Sequence, residues 1–409
     1  MNQTYTFLNR SHRGGSNKNG DRVSRVLMVT GQSGGGIWHY ACALSKALTD
    51  EGVDVALAAP YPFESDVVDG LPVWPLGSQN SDGTRSPSLR WHRAAGHLQK
   101  LRQLRQLLLD FHPDIVHFHD RFGLFDFLYL DLLKRLGPRI VYTAHDVRSL
   151  FGKTTWFDRA RYRAADAIFV HSSNGVADLL EGGIDQSRIV RVPHANYYHL
   201  RDRSATQCRR DYPDLGIPSG ARPILFFGSI APYKGLSLLI EAFSLLLRDD
   251  PSVYLVIAGR PKDDFEVYNR QIHRLKLEEH VVADLRYIPF EEFGRFFLAA
   301  NVVVLPYQRI YQSGILQLAY AFGRPVVVTN VGGLGEMVAE DRTGLVAETN
   351  DTVGLASAIR HLLTEHANAE EMGNRARRLA TTKYSWAAVA RKVAEIYQAL
   401  QAERRHASC

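Results

Sequence analysis

The sequence predicts an α/β protein: two successive domains, each a parallel sheet covered by helices, with a cleft between them. Three observations predict it. Short apolar, β-branched runs alternate with segments of helical period along nearly the whole chain, the pattern of parallel strands joined by crossover helices. That alternation breaks in a polar stretch ending in GIPSGARP and then restarts. The 409 residues also exceed what a single hydrophobic core serves.

Taken in order, residues 1–22 carry Arg10, Arg13, Lys18 and Arg22 among Ser, Asn and Gly, and read as a basic tail with no core of its own. The first domain is expected over 23–200. It opens with the strand RVLMVT (25–30) and the loop GQSGGG. Ile37, Tyr40, Ala41, Leu44 and Leu48 then recur at helical spacing until Gly52, and VDVALAA (53–59) is the next strand. Strand, glycine loop, helix, strand is a βαβ opening. Further strands are expected at DIVHFH (114–119), RIVYT (139–143), DAIFVH (166–171) and RIVRV (188–192). A linker follows at 201–222. The second domain, 223–384, has strands at ILFFG (224–228), VYLVIA (253–258), 281–287, NVVVLP (301–306) and PVVVT (325–329). YSWAAVARKVAEIYQALQA (384–402) reads as a long helix within a C-terminal segment 385–409.

Composition narrows the function. Hydrophobic residues at 45% and charged residues at 22% fit a globular chain with a sizeable core. No apolar run is long enough to span a bilayer, and the N-terminus lacks the apolar stretch of a signal peptide, so a cytoplasmic location is expected. Cys42, Cys208 and Cys409 fit neither a disulfide framework nor a metal site. The net charge of +6 suits phosphate-bearing substrates, anionic membranes or nucleic acid. Nucleic acid is disfavoured, because zinc-finger spacing, RNA-binding aromatic signatures and basic heptad helices are missing. GQSGGG lacks the GxGxxG spacing, which argues against a dinucleotide enzyme.

Two stretches carry chemistry. In FFGSIAPYKGLSLLIEAF (226–243) a strand ends at Gly228, a loop carries Lys234 and Gly235, and a helix starts at once. A lysine beside a helix N-terminus is a natural anion site, though an ordinary turn with a solvated lysine has the same local pattern. In YQRIYQSGILQLAYAFGRPVVVTNVGGLGE (307–336), Gln312-Ser313-Gly314 stands where a helix begins. Ser313 is a candidate N-cap, and amides near Gly314 can face a phosphate. Gly332-Gly333 marks another turn of close backbone approach.

In order, GxIxPYKGLxxLIEAF, VIAGRP, LPY, QSGxLxLAYAFGRPVVVTxVGGLxE and TGLV resemble the family 4 glycosyltransferases of GT-B architecture. The first half agrees through its Gly-Gly turn, DIVHFHD, VYTAHD, DAIFVHS and IVRVPH, so the resemblance covers residues 24–400. It implies two Rossmann-like domains facing a cleft, with the C-terminal helix crossing back to the first. It implies a hexosyltransferase moving sugar from a UDP- or GDP-sugar, with no other cofactor. The acceptor would be a glycan, a lipid-linked sugar or a secondary metabolite. Lys234 and Gly235 would contact the donor pyrophosphate, and Gln312, Ser313 and Gly314 would face the same phosphates. Gly35 and Gly36 would let the backbone approach donor or acceptor. His145 would lie near the transferred sugar.

The chain departs from the family pattern. The Glu-x7-Glu positions fall on Ile310 and Leu318, and Ser229 and Ala231 stand where arginines are common. The sequence is closer to a branch with QSGxLxLAYAFGKP in that place. Arg309 is a candidate to compensate, and Glu336 is the nearest carboxylate that could reach the donor instead. Retaining transfer is favoured; for inversion, Asp120 or Asp146 would be the general base. No metal motif such as DxD is evident, so metal-independent transfer is expected. His117 and His119 are expected to face opposite sides of their strand, against a shared metal, and His194 is open between structural and functional readings.

Residues 89–111 combine Leu98, Leu101, Leu104, Leu108 and Phe111 with Arg90, Arg93, Lys100, Arg102 and Arg105. Such a helix suits peripheral contact with an anionic membrane, or the plain surface of an α/β domain. Two alternatives to the transferase stand beside it: a weak or inactive sugar-nucleotide binder or partner subunit, and a nucleotide-sugar epimerase.

Overall fold

The structure is a computed structural model that describes residues 24–64, 68, 70–78, 88–120, 130, 133–147, 155–196 and 215–407, with side chains outside the description at 78, 88–98 and 404–407. The basic tail 1–22 and most of the linker 201–222 lie outside the described residues.

The first sheet contains β1 (Arg25–Val29), β2 (Asp54–Tyr61), β3 (Val73–Ser78), β4 (Ile115–Phe118), β5 (Arg139–Thr143), β6 (Ala167–Val170) and β7 (Ile189–Arg191), in the order β3-β2-β1-β4-β5-β6-β7. The second contains β8 (Arg222–Phe227), β9 (Val253–Ala258), β10 (Val281–Asp284), β11 (Val302–Leu305), β12 (Val326–Thr329) and β13 (Gly344–Ala347), in the order β10-β9-β8-β11-β12-β13. β1 pairs in parallel with β2 and β4, and β8 with β9 and β11. Both sheets therefore reverse their winding at their first strand, and ligands of such sheets bind beyond the carboxyl ends at that point. The central strands are apolar on both faces: Val26 to Val29 and Val302 to Leu305 are fully buried.

The helices are α1 (Gly35–Asp50), α2 (Ser88–Phe111), α3 (Trp156–Ala164), α4 (Ser173–Glu181), α5 (Leu236–Asp249), α6 (Glu266–Leu275), α7 (Phe293–Ala299), α8 (Gly314–Ala321), α9 (Gly332–Asp341), α10 (Thr352–Thr364), α11 (His366–Thr381) and α12 (Trp386–Ala407). In the second sheet's domain, one apolar cluster packs Leu239, Ile240 and Phe243 of α5 on Ile224 and Phe226 of β8. The other face carries Phe293, Phe296 and Phe297 of α7 against Phe227.

The chain forms two compact units. The first is Met1–Thr143 with Arg163–Asp166 and Ala390–Cys409; the second is Ala144–Tyr162 with Ala167–Val389. Strands β6 and β7 and helix α4 thus group with the second unit. Side chains explain why: Tyr311 donates to Asp178 at 2.5 Å, Gln312 donates to the His171 carbonyl at 3.1 Å, and Ser173 donates to Glu336 at 2.5 Å.

The end of α12 belongs to the first unit, as expected of a helix that crosses back. The Tyr397 hydroxyl is bonded to His117 Nδ1 at 2.6 Å, and Ser24 donates to Gln401 at 3.1 Å. The expectation for His117 and His119 is corrected. Residues two apart on a strand share a face, and the two imidazoles stack at 4.3 Å. Thr143 binds the other nitrogen of His117 at 2.6 Å.

In the side-chain-described part of α2 the apolar face is used internally: Leu104, Leu107 and Leu108 are buried, and Arg102 and Arg105 point outward. Gln103 accepts from Gly77 of β3 at 2.9 Å. Among the described residues, no helix is long and apolar enough to cross a membrane.

Candidate active site

The carboxyl end of β8 builds the first part of the site. Gly228 (φ 102°) leads to Ser229, and a single 3-10 turn, Pro232–Lys234, precedes α5. Gly235 adopts φ 71°, and a Cβ there would lie 1.8 Å from the carbonyl oxygen of Pro306. Only glycine lets this turn rest on the end of β11. The contact places Lys234 over Tyr307, with Nζ 3.8 Å from the ring centroid. Lys234 is 9% exposed. Among the described residues no carboxylate or carbonyl accepts from its ammonium. The Tyr233 ring lies 5.6 Å from the same nitrogen, and a buried ammonium flanked by rings is costly unless an anion joins it. The Tyr307 hydroxyl is also buried, with no hydrogen-bond partner among the described residues.

The second part is the loop from β11 to α8. Ser313 caps α8 in extended conformation, but its hydroxyl makes no capping bond and is buried with no partner among the described residues. The α8 amides therefore keep their capacity for an anion. Ile315, in the first turn of α8, lies against Gly228, so the ends of β8 and α8 meet. Arg309 is exposed. Leu318 is buried in the core and Ile310 packs on it, so neither position offers a polar group.

His145 follows β5 and is half-buried. Its ring lies 5.4 Å from that of His171, which lies 5.1 Å from that of His194. His171 Nδ1 donates to the Val192 carbonyl at 2.9 Å, and His194 Nδ1 to the Ala195 carbonyl at 2.8 Å. Burial, with the neighbouring His194, pushes the His171 pKa down to about 3; burial pushes His194 down to about 4. Both are neutral near pH 7. Asp146 is exposed at its edge, yet surrounding protein desolvates its carboxyl and raises its pKa.

Glu336 is engaged by protein. Its carboxylate accepts from the Ser173 amide at 3.0 Å and hydroxyl at 2.5 Å, and pairs with Arg191 at 2.7 Å. Asp120, in the first unit, accepts from the Gly31 amide at 2.5 Å and so braces the loop after β1. In that loop a Cβ added at Gly35 or Gly36 would meet nothing within 4 Å, and Gly35 needs its φ of 78°.

In the second unit Lys234 and Gly235 rest on the end of β11, Gly228, just before Ser229, meets the first turn of α8, and His145 lies beside His171, which lies beside His194. Sequence reasoning missed Tyr307, which reads as a strand end, and His171, whose only signal was VHS after a strand. Among the described residues no group of three or more His, Cys, Asp or Glu side chains is placed to hold a metal ion.

The profile described as Glycosyl transferases group 1 matches residues 209–379, and the one described as Glycosyltransferase Family 4 matches 34–195. The chain belongs to the family 4 glycosyltransferases. It is similar to a glycogen synthase of Mycobacterium tuberculosis, at 26% identity over 93% of this chain and 96% of that protein. A D-inositol 3-phosphate glycosyltransferase of Corynebacterium efficiens shares 32% identity over 57% of this chain and 56% of that one. Anabaena HepE, solved with UDP-glucose, superposes with a TM-score of 0.68 at 17% identity, covering 92% of this chain and 99% of HepE, which shows the GT-B fold. Our glycosyltransferase is thus of GT-B type.

Proposed function

We propose that this glycosyltransferase moves a hexose from a UDP- or GDP-sugar to a sugar-containing acceptor, with the diphosphate held by Lys234 and the start of α8. One observation carries the reading: Lys234 is nine-tenths buried, its ammonium lies over the Tyr307 ring, and among the described residues no carboxylate pairs with it. A diphosphate supplies that anion, and the α8 amides with the Ser313 hydroxyl complete its binding. The UDP-glucose bound to HepE supports a nucleotide sugar as donor.

His145 is the candidate to bind a hydroxyl of the transferred sugar. We read the transfer as metal-independent, since the ammonium and the helix N-terminus offset the charge of the leaving diphosphate. We read it as retaining, because Asp120, one candidate base for inversion, is already bound to Gly31. Asp146 is the remaining candidate; an Asp146→Asn enzyme at near-normal turnover would exclude it. The relatives' names point to a glycan or to an inositol phosphate as acceptor. Contact with an anionic membrane would use the outward arginines of α2, and no sedimentation with anionic vesicles at low salt would sink it.

The test is slow hydrolysis over a panel of nucleotide sugars, with and without EDTA. One donor should release nucleotide at an EDTA-insensitive rate. Lys234→Ala should lower kcat/KM for it about 100-fold, about 2.7 kcal/mol. Binding without turnover, whatever acceptor is added, would favour the inactive binder that Ile310 and Leu318 suggest. An unchanged Lys234→Ala enzyme would refute the diphosphate site.

A further inference from the structure

In the first unit, β2 runs out into residues 61–64, which are locked onto the loop before α1. The Ser33 hydroxyl donates to the Pro62 carbonyl at 2.7 Å, the Glu64 amide to the Ser33 carbonyl at 2.9 Å, and Trp38 Nε1 to the Glu64 carbonyl at 3.3 Å. Ser33 and Trp38 are buried. The backbone is therefore held, while its side chains reach solvent. Tyr61 is 46% exposed; its ring meets Phe63 edge-on at 5.8 Å, and Phe63 leans on Trp38 at 5.9 Å.

Glu64 completes the arrangement. Its Oε2 accepts from His39 Nε2 at 2.6 Å; a carboxylate can only accept, so that nitrogen carries the proton. Among the described residues no donor reaches Oε1. That oxygen lies 2.8 Å from where a Cβ on Gly34 would stand, so glycine at 34 makes room for the carboxylate. Among the described residues no side chain caps α1. Its N-terminus favours an anion, and Glu64 supplies that charge from the protein itself.

We infer that Tyr61, Phe63, Glu64 and His39 form a subsite for an uncharged, hydroxyl-rich sugar ring of the acceptor, and that Glu64 turns away phosphate-bearing acceptors there. The inference rests on the sugar-transfer reading above and narrows its acceptor. A sugar ring offers CH faces to an aromatic wall and hydroxyls that donate to a carboxylate in charge-assisted bonds. A phosphate would meet the like charge of Glu64 there.

The test uses the full chain with UDP and saturation-transfer NMR. The probes are maltose, cellobiose, lactose, mannobiose, glucose 6-phosphate and mannose 6-phosphate. At least one neutral disaccharide should bind at least tenfold more tightly than either phosphate. Tyr61→Ala and Glu64→Ala should weaken it at least tenfold. Glu64→Gln, which keeps the shape, should narrow the neutral-to-phosphate preference by about tenfold. Binding of no neutral sugar, binding unmoved by the variants, or equal binding of phosphates would overturn the subsite. A wild-type chain that shows the sugar pattern but hydrolyses no nucleotide sugar would overturn the transfer reading instead.

Discussion

At the scale of single residues, the buried imidazoles set a pH dependence that can be measured. His171 and His194 have folded pKa values of about 3 and about 4, below the ordinary value of 6.5. The unfolded chain takes up protons on both as pH falls through 6.5, while the folded chain does not until much lower pH. Their contribution to stability is complete above about pH 6.5 and is lost as pH falls towards 4, at about 1.4 kcal/mol per histidine per pH unit. We expect Tm to drop between pH 6.5 and 4.5. A His194→Asn chain should show a shallower drop, and an unchanged slope would assign it to other groups. The Cys42 thiol, pushed up to about 12 by burial and by Glu64, is a poor nucleophile at neutral pH. Lys234 was legible in the sequence, because strand, lysine and helix follow within nine residues; its burial on Tyr307 was not, because 73 positions separate the two.

At the scale of elements, α12 is fastened to β4 by one buried polar chain. The His117 imidazole lies between Tyr397 of α12 and Thr143 of β5, with both nitrogens bonded. Tyr397→Phe leaves a buried ring nitrogen without its partner, so urea unfolding should show a loss of about 1–3 kcal/mol. A change below about 0.3 kcal/mol would mean that apolar packing alone fastens the helix. Most strands stood out in the sequence because a central parallel strand is a continuous apolar run. The edge strands β3 and β13 did not. VWPLGS contains a proline and a glycine that interrupt its apolar run, and GLVA is only partly buried, with one residue of the strand fully inside.

At the scale of the whole molecule, the chain leaves its first unit after Thr143, returns briefly at Arg163–Asp166, and comes back with its last helix at Ala390. Val393 and Tyr397 are fully buried there and Leu400 nearly so. A chain ending at Ser385 would leave the first unit's core uncovered. We expect it to aggregate or lose its cooperative unfolding transition, as read by gel filtration and thermal circular dichroism. A monomer with a wild-type transition would show that α12 is dispensable for the first unit.

The sequence by itself determined the class of the fold, the two parallel sheets and the glycine turns that follow β8 and precede α8. Those follow from period, from glycine at positive φ and from strand–loop–helix order, all local properties of a few consecutive residues. Only the tertiary structure decided that Lys234 is buried on Tyr307, that Glu336 is tied to Ser173 and Arg191, and that Glu64 lies over Gly34. Contacts between residues 30 to 163 positions apart depend on how the sheets are packed, and residue spacing along the chain carries no record of that.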